Sequence, residues 1–335
     1  MKLETVSRQV AEQLLRRHPD APSRQLGRML RREAPEVFCN EESARSAIRN
    51  LRGAHGRHNR TKLRGQHRRP KADAAACQRW GSLLPPADPT DFAWVDLPAG
   101  PERYLILADL HIPYHDQKAI SIALAHAEGN CDGVLILGDL VDAHQISHWS
   151  RDPRKRNFVG EVDMANRCLD AIAKLKPKAT IWKAGNHELR LERYLQQRAP
   201  EIAGLCDKFS YRSECELDAR GILWVPPAHP IRHGMLTLIH GHEWGNRFAS
   251  PVNAARGAFL RALECTIEGH GHRSSYHAET TLRDRTIRCW SIGCMCNTHP
   301  EYRPLGNKWD LGFAYLNTGS EWTIESHTII GGAVL

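Results

Sequence analysis

No apolar stretch of this 335-residue chain approaches the roughly 18 to 20 residues of a membrane span. A helical membrane protein is thereby excluded, and no membrane partner is expected. Met1-Lys-Leu-Glu-Thr5 has no apolar core of the signal-peptide kind. The ten cysteines are scattered without finger-like pairing. Cys294-Met-Cys296 is the only close pair, too tightly spaced for a zinc knuckle, and reads as core. Dispersed thiols without an export signal predict a reducing, cytoplasmic setting. Internal repeats are also missing.

What is present is uneven. The formal net charge is +8, but roughly ten net positive charges precede Asp73, leaving the remainder near neutral. A basic module joined to a neutral one calls for an anionic partner, nucleic acid first and a membrane surface second. The basic part carries three helical patterns. Leu3, Val6, Val10 and Leu14 share one face, and Pro19 and Pro22 stop that helix. Ser23 is the expected cap of a second, to Arg32, with Leu26, Met29 and Leu30 inward. Asn40 caps a third, to Leu51, with Ala44, Ala47, Ile48 and Leu51 inward and Gly53 ending it. Arg45, Arg49 and Arg52 fall on its outer side. Three short helices ending in a basic one resemble a helix-turn-helix domain, expected over 1–56, with these arginines as nucleic-acid contacts. A docking module with merely solvated arginines fits the same pattern. Residues 57–91 read as a linker, basic through Arg69 and then a tether containing Ala and Pro. Residues 92–335 form the larger domain.

That domain is organised around Val134 to Asp142. An unbroken apolar run, Val134 to Leu137, ends in Gly138 and Asp139. Such runs read as strands buried on both faces, and α/β proteins bind ligands just past strand carboxyl ends. The pattern recurs. Tyr104 to Ala108 ends in Asp109-Leu110-His111, and Thr180 to Ala184 in Gly185-Asn186-His187-Glu188. Met235 to Ile239 ends in His240-Gly241-His242, and Cys265 to Glu268 in Gly269-His270-Gly271-His272. Turn aspartates and core histidines explain one or two such placements, not five. Helical patterns over 117–127, 161–175, 188–197 and 251–263 alternate with these strands. After His272 the strands become consecutive, at 286–292, 312–316 and 322–330. An α/β domain with a second, more antiparallel sheet follows. Residues i and i+2 of an extended segment face one way, so Asp109 with His111, and His270 with His272, can converge.

Asp109-x-His111, Gly138-Asp139, Gly185-Asn186-His187-Glu188, His240 and Gly269-His270-x-His272 resemble, in order and spacing, the full signature of the calcineurin-like metallophosphoesterases. The resemblance covers about 100–330. The segments Gly293-Cys-Met-Cys-Asn297, Glu301-Tyr302 and Asn307 to Phe313 are similar to a phage and prophage branch. The resemblance implies a two-sheet sandwich flanked by helices, holding two divalent transition-metal ions at strand ends. It assigns Asp109, His111, Asp139 and His272 to one ion and Asp139, Asn186, His240 and His270 to the other, with Asp139 bridging. Imidazole-rich sites favour manganese, iron, zinc or nickel over magnesium, with manganese the first choice. Family chemistry is in-line attack by a metal-bridging hydroxide, with His187 the catalytic acid and Glu188 its orienting neighbour.

One departure stands out. Protein phosphatases of this family continue Gly-Asp as Val-Asp-Arg-Gly, but here Val141-Asp142-Ala143-His144 leaves out the phosphate-clamping arginine. His144, Arg151 and Arg154 are the substitutes considered for the substrate. His242 is expected behind the ligands, and His115, Tyr302 and Trp309 along the site. The expected activity is a phosphodiesterase or nuclease. The alternatives are a small-molecule or protein phosphatase localised by its first module, or a DNA-binding regulator with an inactive phosphoesterase domain; the intact ligand set argues against the last.

Overall fold

The computed structural model describes residues 3–53, 73–88, 92–147, 154, 157–205, 207–245, 252–300, 303–319 and 321–335. The chain forms two compact units, Met1–Pro89 and Thr90–Leu335.

The first unit packs helices α1 (Leu3–Arg17), α2 (Ser23–Glu33) and α3 (Glu41–Leu51) around Leu14, Leu26, Leu30, Phe38, Ile48 and Leu51. Asn40 caps α3 as expected, its Oδ1 accepting from the Ser43 N–H at 2.8 Å. Ser23 does not cap α2. Pro22 stands at the cap, and the Ser23 hydroxyl accepts instead from Arg52 at 2.8 Å. Arg52 also donates to the carbonyls of Pro19 (2.9 Å) and Ala21 (2.5 Å), closing the turn between α1 and α2. It is therefore a strut between helices, which uses three of its five N–H donors. Gly27 lets α2 approach α3 closely: a Cβ there would lie 3.0 Å from the Arg45 Cβ. The segment 34–40 between α2 and α3 is longer than a helix-turn-helix turn and buries Phe38. The three helices are as expected; the tight turn is not there.

The expected tether contains helix α4 (Ala74–Leu83), capped by Asp73 on the Ala75 N–H at 3.1 Å. Three consecutive alanines supply the propensity. None of its residues is buried, and Trp80 is 62% exposed. The basic run from Arg57 to Arg69 lies outside the described residues.

The second unit is the expected two-sheet sandwich flanked by helices. Strands β1 (Val95–Asp96), β2 (Arg103–Leu107), β3 (Gly133–Leu137), β4 (Ala179–Lys183), β5 (Ile222–Val225), β6 (Ile231–His233), β7 (Leu236–Ile239), β8 (Cys265–Glu268), β9 (Ser275–Thr280), β10 (Thr286–Ser291), β11 (Leu311–Asn317), β12 (Thr323–Ile330) and β13 (Ala333–Val334) form two sheets. The seven-stranded sheet runs β13-β12-β11-β2-β3-β4-β5, with β2 to β5 parallel; the six-stranded sheet runs β1-β6-β7-β8-β10-β9. Side chains alternate along each strand. Tyr104, Ile106, Leu135 and Leu137 pack towards Leu236, Leu238 and Ile267 of the other sheet. Leu105, Leu107, Val134 and Ile136 pack under helices α5 (Gln117–Ala127) and α6 (Phe158–Ala173). Both faces of β3 are thus buried, which is why its sequence is apolar without a break. The chains leaving β2, β3, β4, β7 and β8 carry the chemistry described next.

Candidate metal centre

Asp109 follows β2 and Asp139 follows β3, and the two exits are laced together. The Asp109 N–H donates to the Gly138 carbonyl at 3.1 Å, and the His111 N–H to the Asp139 carbonyl at 2.9 Å. The convergence does not come from extended backbone. Asp109, His111, Asp139, His270 and His272 have φ of 55°, 49°, 52°, 56° and 53°, all left-handed. Each strand stops abruptly and turns its next side chain inward. Glycines leave the room: a Cβ on Gly138 would strike the His240 ring, and one on Gly185 would strike the Asp139 carboxylate.

Behind this cluster, buried groups fix the loops. The Glu188 carboxylate accepts from the N–H groups of Asp139 (3.1 Å), Leu140 (2.9 Å) and Gly185 (2.7 Å). Burial and the Asp139 charge push its pKa up to about 7. Buried Lys183 at the end of β4 pairs with Glu243 at 3.0 Å, and Glu243 accepts from the Gly241 N–H at 2.7 Å. That pair ties the exit of β4 to the exit of β7.

Three of the inward imidazoles are held by their other nitrogen. His111 Nδ1 faces Asp142 at 3.1 Å, His240 Nδ1 faces the Leu137 carbonyl at 2.8 Å, and His272 Nδ1 faces the Cys296 sulfur at 3.8 Å. Their Nε2 atoms point into one volume. His111 and His272 Nε2 are 3.1 Å apart, His272 Nε2 lies 3.1 Å from Asp109 Oδ1, and His240 Nε2 lies 3.1 Å from Asp139 Oδ2. Asp139 Oδ2 is also 3.8 Å from Nε2 of both His111 and His187. The ligand atoms of Asp139, His240 and His270 all lie within 4.8 Å of one another, as do those of His111, Asp139 and His187.

The electrostatics match. Burial alone would raise Asp109 and Asp139, but the surrounding histidines hold both well below the usual carboxylate range. Burial likewise opposes charge on His111 and His240, yet the neighbouring carboxylates push each up to about 10, and His272 to about 9. His270 is the exposed member of the set; partial desolvation against the cluster, with His240 nearby, lowers its pKa. Asp109 Oδ1, Asn186 Oδ1 and His240 Nε2 are buried with no hydrogen bond. Converging oxygen and imidazole donors suit divalent cations, which would take the place of the protons. These residues fit a divalent metal.

His187 sits beside the cluster. Its Nδ1 faces the Asp142 carbonyl at 2.8 Å, and its Nε2 faces the Arg190 guanidinium at 2.9 Å. Arg190 also donates to the Asp142 carbonyl at 2.6 Å. Burial lowers the His187 pKa, with the Asp139 charge opposing. A cavity of about 580 Å³ opens over the cluster, lined by His111, Asp139, Asp142, His144, His187, Arg190, His270, His272, Arg303 and Trp309. Of the substrate candidates, His144 and Trp309 line it. Arg154 is exposed and not part of the lining; Arg151 and Tyr302 lie outside the described residues. His115 is also off the lining, bridging to Cys296, and His242 leans on Glu243 at 3.5 Å. Arg45 and Arg49 belong to the first unit.

Sequence reasoning missed Asp142, Arg190 and Arg303 as parts of the site. Asp142 stands three residues after Asp139, and Arg190 three after His187, at the first turn of helix α7 (Leu189–Arg198). That spacing was available as a signal; for Arg303 no local signal existed.

A two-sheet sandwich delivering Asp, Asn and His from strand ends to a shared volume defines a metal-dependent phosphoric ester hydrolase. The calcineurin-like phosphoesterase model matches residues 102–288, and the chain belongs to that family. The Gene 54 proteins of Mycobacterium phages L5 and D29 are each 25% identical to it, over 69% of this chain and 95% of theirs. Among solved structures, it is similar to Yfce, a phosphoesterase from E. coli, at 15% identity and a TM-score of 0.35, covering 70% of this chain and 96% of that one. It is also similar to the purple acid phosphatase PPD1 of yellow lupin, at 13% identity and a TM-score of 0.38, covering 71% of this chain and 53% of that one. Among the described residues no helix is long and apolar enough to cross a membrane.

Proposed function

We propose that the protein is a dinuclear metal phosphodiesterase acting on nucleic acid. The observation carrying the metal reading is the convergence of Asp109, His111, Asp139, His240, His270 and His272, with Asp109 Oδ1, Asn186 Oδ1 and His240 Nε2 buried and without a hydrogen bond. Asp109, His111, Asp139 and His272 would hold one ion, and Asp139, Asn186, His240 and His270 the other. Two such cations, manganese first among the candidates, supply Lewis acidity and an activated water for attack on phosphorus. The polynucleotide choice rests on charge: residues 1–72 hold eighteen Lys and Arg against seven Asp and Glu.

The protein's own groups divide the remaining work. Arg190 lines the cavity and takes over the phosphate-clamping place left vacant by Ala143. A phosphoryl oxygen engaging its guanidinium draws it off His187, whose freed Nε2 lone pair takes a proton from water in the cavity and passes it to the leaving oxygen. The Asp142 carbonyl keeps the His187 ring oriented through Nδ1. His144 borders the substrate.

A substrate panel with added manganese tests this: an aryl phosphodiester, an aryl phosphomonoester, and single- and double-stranded DNA and RNA. Cleavage of a polynucleotide and of the diester over the monoester is expected. Turnover of the monoester alone would replace the nuclease with a phosphatase.

A further inference from the structure

The cavity is larger than a phosphoryl group needs. The candidate ligands occupy one part of its wall; Trp309 and Arg303 make another. The Trp309 ring centre lies 4.3 Å from that of His272, and the Arg303 guanidinium lies 5.9 Å from the indole centre. Trp309 is therefore an aromatic wall beside an imidazole of the metal cluster, with a cation near its face.

This wall is held in place. Asp310, the next residue, donates its N–H to the His272 carbonyl at 3.0 Å. Its carboxylate accepts from the Ser274 N–H at 2.9 Å and from the Ser274 hydroxyl at 2.7 Å. Its carbonyl accepts from the Cys294 N–H at 2.9 Å. The loop before Trp309 is closed by Asn307, which donates to the carbonyls of Thr298 (2.9 Å) and Arg303 (2.6 Å). Trp309 is thus tied to the same backbone that presents His272, and its position relative to the cluster is set before any ligand arrives.

A flat, half-buried indole in a cavity with a cationic neighbour recognises a π-face. Every nucleobase has one, and stacking on an aromatic side chain tolerates any base sequence. We propose that Trp309 is the stacking platform for the nucleobase attached to the phosphate bound at the cluster, with Arg303 meeting the flanking phosphate. The inference rests on the phosphoesterase site above and names the group that site selects.

The test uses competitive inhibition of the manganese-loaded full chain turning over a nitrophenyl phosphoester, so it works whether the enzyme prefers a monoester or a diester. Thymidine 5′-monophosphate and 2-deoxyribose 5-phosphate share the phosphate and sugar and differ by the base. The nucleotide is expected to inhibit about 5- to 150-fold more tightly, the range that one base–aromatic stack gives. Trp309→Ala brings the ratio near one, and Trp309→Phe keeps part of it. Equal inhibition by the two compounds in the wild type, or an unchanged ratio in Trp309→Ala, overturns the platform. The diester-to-monoester preference, read from the same preparations, decides the underlying phosphodiesterase reading separately.

Discussion

Glu188 accepts the backbone N–H of Asp139 at 3.1 Å while accepting that of Gly185 at 2.7 Å, so one buried carboxylate fixes the spacing of two neighbouring strand exits. Glu188→Ala leaves those donors, and that of Leu140, buried without an acceptor. Each orphaned donor costs about 1–3 kcal/mol. The melting temperature is expected to fall by many degrees, with metal affinity falling alongside. Glu188→Gln keeps one acceptor oxygen and should lose less of both. Thermal unfolding with and without manganese checks this; an Ala variant as stable as the wild type would refute it.

Asp139 lies within reach of His111, His187 and His240 and is the proposed bridge. Asp139→Asn should therefore depress both metal sites, and His111→Ala chiefly one. Elemental analysis is expected to give metal per chain near zero for the first and near one for the second. Two ions per chain in Asp139→Asn would remove the bridge.

Arg52 and its two neighbours on the last basic helix separate stability from binding. Arg52→Ala breaks bonds to Ser23, Pro19 and Ala21. Hydrogen bonds to a charged group are worth about 1.5–3 kcal/mol, so the first unit should lose roughly that much. Arg45→Ala and Arg49→Ala should leave folding intact. If they contact phosphates, each lowers the slope of log affinity against log salt by about 0.9 on duplex DNA. Circular dichroism melting and a salt series distinguish the two effects. A salt slope unchanged in the double variant would mean that this helix does not face nucleic acid.

Glu161 provides a pH signature away from the metals. Burial pushes its pKa up to about 8, the Ala143 N–H opposing and the Asp142 charge adding to it. A folded-state pKa above the unfolded one stabilises the fold at low pH, where both states bind the proton. That stability is lost as pH rises from about 4.5 to about 8, at a limiting slope of about 1.4 kcal/mol per unit. Glu161→Gln removes the slope. The melting temperature of the variant, relative to wild type, should rise between pH 5 and pH 8; parallel curves would deny the buried acid.

The strand exits were legible because β2, β3, β7 and β8 announce themselves by apolar runs that stop at Gly, Asp or His. The residue types at those exits disclosed the chemistry. What converges them was not legible, since left-handed φ at Asp or His leaves no mark in composition. Asp142 and Arg190 offered a spacing signal, three residues after Asp139 and His187, but their partners are a backbone carbonyl and rings brought together only by the fold. Strand β9 is a polar edge with a mostly exposed pattern, so periodicity passed over it. The bonds of Arg52 to the turn between α1 and α2 were not legible either, because helical spacing shows which side a residue leaves from, not where a long side chain ends.

The left-handed residues also govern how this centre tolerates change over time. Such conformations cost of order 1–3 kcal/mol each in non-glycine residues, and Asn and Asp bear them best. Asp109 and Asp139 can drift to Asn, which bears the same backbone and keeps an oxygen for the His270 and His187 N–H groups. A lineage that no longer needed hydrolysis would find these exits among the easiest places to soften. Keeping Asp and His on five such backbones is a standing mechanical load, borne where the cluster forms.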